Sequence, residues 1–107
     1  MTTEHARKLH FSSIIVDTHS DSLARTVDDG DDLGSVTGRG HMDLPRMRAG
    51  HQTAQFFAAY VHTDYLEQGT VLQRVLQYTD AMNRLCQEYP DGIELAGTAA
   101  DIRRIVG

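Results

Sequence analysis

Apolar residues along this chain follow two different rhythms. Ile14-Ile15-Val16 is a short β-branched run without polar alternation, and Thr53-Ala54-Gln55-Phe56-Phe57-Ala58-Ala59-Tyr60-Val61 is a longer aromatic and apolar run in which Gln55 is the strongly polar member. Unalternated runs of this kind predict strands buried on both faces, as in a parallel sheet covered by helices. From Thr70 to Tyr89 the rhythm changes. Val71, Leu72, Val75, Leu76, Thr79, Met82, Leu85, Cys86 and Tyr89 recur at spacings of three and four, which predicts the apolar face of a helix of about five turns. Thr70 stands at its cap, and Pro90-Asp91-Gly92 ends it.

Shorter elements fit between these. The first ten residues carry Ala6 and Leu9 and predict a turn or two of helix, and Ser22 to Val27 starts another before Asp28-Asp29-Gly30-Asp31-Asp32 and the glycine-rich Gly34 to Gly40 break it. Pro45 and Gly50 bracket a short helix, Ile93-Glu94-Leu95-Ala96 predicts a brief third strand, and Thr98-Ala99-Ala100-Asp101 has capping-box form ahead of Ile102, Ile105 and Val106. Strands alternating with helices imply an α/β architecture, with residues 14–16 and 53–61 as adjacent parallel strands and the 70–89 helix across their outside. Residues 1–107 form a single unit.

Charge and composition narrow the function. Ten Lys and Arg against 15 Asp and Glu give a net charge of −5, the wrong sign for tracking phosphates, so nucleic acid is excluded as an expected partner. No apolar run reaches the roughly 18 residues of a membrane span, and the first residues lack the apolar centre of a signal peptide, so a cytoplasmic location is expected. Cys86 is the only cysteine, which rules out an intrachain disulfide and a cysteine cage. Any metal must therefore be held by the 6 histidines and by carboxylates.

One pair is placed for that task. His19 and Asp21 follow the Ile14-Ile15-Val16 run at spacing i, i+2, which on a strand puts both side chains on one face. They sit at the carboxyl end of the strand, where α/β proteins assemble their sites. The pair suits zinc or another borderline divalent ion, and a helix-capping or core-edge role for His19 is the alternative. A second His-x-Asp, His41-Met42-Asp43, precedes Pro45, and there Asp43 is read as a helix cap. Arg46 and Arg48 are read as solvated helix charges rather than carboxylate clamps, Asp28 to Asp32 as a solvated turn, and Cys86 as a small core residue. His5, His10, His51 and His62 show no paired spacing and are read as surface or loop residues.

Three segments in order, Val16-Asp17-Thr18-His19-Ser20-Asp21, Gly40-His41-Met42-Asp43-Leu44-Pro45-Arg46-Met47-Arg48-Ala49-Gly50 and Ala54-Gln55-Phe56-Phe57-Ala58-Ala59-Tyr60-Val61, resemble the start of the membrane (renal) dipeptidase family. The resemblance continues through the helix that ends Arg84-Leu85-Cys86-Gln87-Glu88-Tyr89-Pro90. It implies a TIM-type (β/α)8 metal-dependent hydrolase barrel in which a two-zinc centre cleaves dipeptides, with His19 and Asp21 as the first two metal ligands. Related barrel hydrolases usually carry His-x-His at this point, so Asp21 favours the dipeptidase branch. Thr18 and Ser20 depart from the residues frequent in the family, and neither change removes a ligand.

A complete barrel needs roughly 200 residues or more. The chain therefore reads as the amino-terminal sector, with two to three strand–helix units, and the bridging Glu, later histidines and catalytic Asp are expected beyond residue 107. The alternatives are a truncated non-catalytic relative that binds metal or a partner, and a nonfunctional truncation product. Taken alone, the chain is expected to be marginally stable, to self-associate as a homo-oligomer, to bind zinc weakly and to leave dipeptides intact.

Overall fold

The computed structural model describes residues 2–107. Its elements are α1 (Thr3–Ser12), β1 (Val16–Ser20), α2 (Leu23–Asp29), α3 (Leu44–Ala49), β2 (Ala54–Phe57), α4 (Thr63–Glu67), α5 (Val71–Glu88) and α6 (Ala99–Val106). β1 and β2 form a two-stranded parallel sheet, in register at Val16 with Ala54, Asp17 with Gln55, and Ser20 with Phe57. The mixed order and the parallel pairing agree with the expected α/β class.

The first strand is displaced toward the polar residues. Thr53 explains the shift, because its hydroxyl accepts from the Ile15 amide at 2.8 Å while the Thr53 and Ala54 amides both donate to the Ile15 carbonyl. A side chain thus stands in for the ladder at Ile15, and regular pairing begins at Val16. Ile14 and Val16 are exposed rather than buried on both faces, because a two-stranded sheet has no further strand to cover them. β2 is also shorter than expected and stops at Phe57, past which pairing to β1 continues only through the Ala58 amide to the Ser20 carbonyl. Ile93 to Ala96 forms no strand. Instead the Ile93 amide closes a turn onto the Tyr89 carbonyl.

Helix ends follow their sequence signals closely. Asp43 caps α3 by accepting from the Arg46 amide, with Pro45 in the first turn, and α6 shows both halves of its capping box between Thr98 and Asp101. α4 is an element the periodicity does not reveal, since five residues are too few to show a period. His62 caps it, its Nδ1 accepting from the Asp64 amide.

The core is small, comprising Leu23, Leu33, Leu44, Tyr78, Ala81 and Leu85, with Ala24, Val27, Met47, Phe57, Met82, Tyr89 and Ile93 packed against it. α5 lies chiefly against α2 rather than across the strands, and its inward face is rotated from the expected one. Arg74, Tyr78, Ala81 and Leu85 are buried, whereas Leu72 is 71% and Leu76 57% exposed.

Charge pairing explains the rotation. Arg74 forms a two-pronged pair with Asp28 at 2.6 and 2.8 Å, donates to the Tyr78 hydroxyl at 3.1 Å, and lies over the Tyr65 and Tyr78 rings at 5.0 and 4.7 Å. The acidic run is therefore no solvated turn. Asp28 binds Arg74, Asp31 binds Arg39 and Arg25, and Asp32 accepts from the Tyr89 hydroxyl. Gly34 lies so close to the Tyr89 ring that a Cβ would fall 2.0 Å from ring carbons.

Candidate functional site

His19 lies one residue before the end of β1 and Asp21 just past it, and the local chain brings their side chains together. The pairing of β1 slips between Asp17 and Ser20, where three steps on β1 match two on β2. A bulge of this kind re-aims the residues it contains, here Thr18 and His19. Asp17 steadies the turn by accepting the His19 amide on Oδ1 at 3.0 Å. Ser20 and Ser22 hydroxyls bond at 2.7 Å, and the Ser22 amide donates to Ser20 Oγ. His19 Nε2 then lies 3.1 Å from Asp21 Oδ2, both side chains being largely open to solvent at 64% and 60%.

The expected convergence is thus present as a contact. Because an ionised carboxylate only accepts, Nε2 carries the proton in this hydrogen bond. Two ligand atoms about 2.1 Å from one tetrahedral ion would lie about 3.4 Å apart, so the pair would share an ion by opening slightly, with the imidazole proton on Nδ1. Among the described residues no group of three or more His, Cys, Asp and Glu side chains is arranged to hold a metal.

The pair opens onto a depression of about 600 Å³ lined also by Asp17, Ser20, Arg25, Gly40, His41, Met42, Arg46, Gln52 and Gln55. His41 lines it, while Asp43 is wholly buried and takes no part in the lining. Burial pushes the Asp43 carboxyl up, but hydrogen bonds from the Arg46 amide and guanidinium outweigh that and hold it below the usual carboxylate range. Asp43 therefore caps α3 and does not join His41 as a ligand pair.

Arg46 differs from its sequence reading. Its Nε donates to Asp43 Oδ2 at 2.6 Å and its Nη1 to the Gly40 carbonyl at 3.1 Å, so its donors serve the protein rather than solvent. Arg25, which the sequence left unmarked, donates to Asp31, Thr37, Arg39 and Met42. Two histidines read as loop residues are structural. His10 Nε2 bonds the Gly50 carbonyl at 2.7 Å and His51 Nε2 the Ser13 carbonyl at 3.1 Å, with the rings edge-on at 5.8 Å, which stitches α1 to the end of α3. Cys86 is half-buried, and burial pushes its thiol up, in keeping with a packing role. No helix among the described residues is long and apolar enough to cross a membrane.

Comparison with known proteins agrees with the motif order. The chain is 38% identical over 76 residues to dipeptidase ataJ of Aspergillus terreus (strain NIH 2624 / FGSC A1156), a match covering 62% of this chain and 18% of that relative. The chain thus spans under a fifth of the relative's length. No solved structure matches it. The family description "Membrane dipeptidase (Peptidase family M19)" matches residues 3–107, and the chain accordingly belongs to the membrane dipeptidase family.

Proposed function

We propose that this chain is the amino-terminal sector of a zinc-dependent dipeptidase whose domain is a TIM-type (β/α)8 barrel, and that His19 and Asp21 are two of the ligands of its two-metal centre. The observation that carries the reading is their approach to 3.1 Å at the carboxyl end of β1, over an open depression, in a chain of this family.

When bound, a two-metal centre lowers the pKa of a shared water and polarises the scissile carbonyl. The residues of this chain prepare that chemistry by orientation. Asp17 and the Ser20–Ser22 pair fix the turn, and His19 Nε2 and Asp21 Oδ2 would hold an ion side by side, the imidazole then carrying its proton on Nδ1. Arg46 is engaged by Asp43 and Gly40, so the groups that recognise the carboxylate and amine of a dipeptide come from the remaining ligand-bearing strands. The catalytic acid and base belong to those strands as well.

The test compares the 107-residue chain with a form extended through the reading frame downstream, each with His19→Ala and Asp21→Ala counterparts. Bound zinc and hydrolysis of a simple dipeptide are measured. The short chain should bind zinc weakly and leave the dipeptide intact, and the extended enzyme should lose metal and activity in both variants. Retention of metal and activity by the extended variants overturns the ligand assignment. Hydrolysis by the short chain, abolished in His19→Ala, overturns the view that the remaining ligands lie elsewhere. A stop codon directly after Gly107 would instead favour a non-catalytic relative that binds metal or a partner, or a nonfunctional truncation product.

A further inference from the structure

The depression has a second wall that metal ligation does not use. Gly40, His41 and Met42 line it together with Asp17, His19, Ser20 and Asp21. They end a loop, residues 30–43, that contains neither helix nor strand, so no regular backbone ladder holds it in place. The buried Leu33 and the Tyr89 hydroxyl on Asp32 anchor its first part, and two guanidiniums hold the part that reaches the depression. Arg25 donates to the Met42 carbonyl at 2.8 Å, the Arg39 carbonyl at 2.9 Å, Thr37 Oγ1 at 3.2 Å and Asp31 Oδ2 at 3.4 Å. Arg46 reaches the loop from α3 through the Gly40 carbonyl at 3.1 Å and, at 3.4 Å each, Thr37 and Arg39.

The Arg25 bonds are the shorter set, and they bracket His41 at Arg39 and Met42. A planar fork of five donors fixes several acceptors relative to one another, which a lysine ammonium on a flexible stem does not. The packing is correspondingly close. Gly40 has φ +67°, and a Cβ there would fall 2.4 Å from Arg25 Cζ, so a side chain at 40 would both strain the backbone and lift the loop from the guanidinium. Arg25 lies on α2, which follows β1 after two residues. One short stretch of chain therefore carries His19, Asp21 and the template for the Gly40-His41-Met42 part of the lining.

We infer that Arg25 is the positioning residue of this site: the later part of the 30–43 loop folds on its guanidinium, which holds His41 and Met42 in the lining they share with His19 and Asp21. As far as a ligand is concerned, the inference rests on the metal reading above. It makes the shape of the site depend on a side chain whose donors are engaged by the loop.

The 107-residue chain, isotope-labelled at histidine, is titrated with Co²⁺ alone, and the ring-proton shifts induced by the ion are followed by NMR. Both His19 and His41 should shift, and His19→Ala should abolish both responses. In Arg25→Met, in Arg25→Lys and in Gly40→Ala, which leaves the guanidinium in place, the His19 shift should persist and the His41 shift should be lost. A His41 shift that survives in Arg25→Met and Gly40→Ala overturns the inference.

Absence of any shift at His19 in the unaltered chain overturns the metal reading instead. Arg25 is then judged by trypsin cleavage after Arg39, which should quicken in Arg25→Met while the circular dichroism spectrum is kept; an unchanged cleavage rate overturns its role. Should Arg25→Met lose that spectrum, Gly40→Ala decides by the same two measurements.

Discussion

Removing the carboxylate of Asp28 should destabilise this chain more than removing the guanidinium it binds. The Arg74 side chain is 7% exposed and that of Asp28 49%, so the two ends of the pair stand in different solvents. In Asp28→Ala the cation stays between Tyr65 and Tyr78 without its counter-ion, and its Nε is already without a hydrogen-bond partner. Breaking a buried pair from one side costs about 3–5 kcal/mol. Because water reaches the Asp28 end, the cost falls below that range, to about 2–3 kcal/mol, similar to the loss of strong charge-assisted bonds.

Arg74→Met is a different perturbation. It keeps most of the stem packing, frees a half-exposed carboxylate to water, and removes the cost of burying a charge. The lost stabilisation is the pair itself and two cation–π contacts of about 0.5–1 kcal/mol each, partly offset by that relief, for a net cost of about 1 kcal/mol. Combining the two substitutions should then recover about 1–2 kcal/mol relative to Asp28→Ala, because no unpaired cation remains. Urea unfolding followed by circular dichroism reads this as a midpoint about 1 M higher for the double variant than for Asp28→Ala, at the slope of a small protein. Equal costs for the two single variants, or additive costs in the double, would refute the reasoning.

Other consequences follow from the same contacts. Asp43→Ala removes the α3 cap and leaves Arg46 without its carboxylate, and should lower stability by about 1–2 kcal/mol in urea unfolding, with Asn restoring the cap but not the ion pair. Asp28 is held low by its hydrogen bonds from Arg74, and Asp43 is held low by Arg46 against the opposing effect of burial; a carboxyl lower in the folded chain stabilises above its unfolded pKa, so stability should be full above about pH 5 and fall with acid below about pH 4. Thermal melts from pH 7 to pH 2 check that direction. Gly34→Ala should displace the Tyr89 ring and break its bond to Asp32, which raises the Tyr89 phenol; ultraviolet titration should then show the Tyr89 phenol ionising at lower pH than in the unaltered chain. The chain should also self-associate in sedimentation, and a sharp monomer with one cooperative melt would count against that.

Features that depend on neighbours in sequence were legible. The α6 capping box, the Asp43 cap, the length of α5 and the parallel pairing of two apolar runs follow from patterns a few residues long. The convergence of His19 and Asp21 was legible for the same reason, since i, i+2 spacing needs only a strand-like local chain. Arg25 left no such mark. Most of its short bonds go to backbone carbonyls of Arg39 and Met42, and a carbonyl has no residue identity to read. The rotation of α5 was hidden too, because the partner that draws Arg74 inward, Asp28, is 46 residues away.

The misplaced face of α5 leads further than a misread helix. Leu72 and Leu76 lie on the periodic stripe and yet stand in solvent, as do Leu66 at 70% and Phe56 at 59% exposure. A compact protein of this mass would expose about 5,900 Å², whereas this chain exposes 7335 Å². Its radius of gyration is 15.8 Å, against about 13 Å for a compact chain of this length. The apolar stripe and the strand compositions therefore specify more burial than these residues provide for one another. As proposed metal ligands, His19 and Asp21 show the same incompleteness in chemical form, because an ion needs three or four donors just as a buried strand needs neighbours on both edges. On the proposed reading, one further stretch of barrel would meet both needs: added strands would cover the exposed apolar positions and carry the missing ligands at their carboxyl ends.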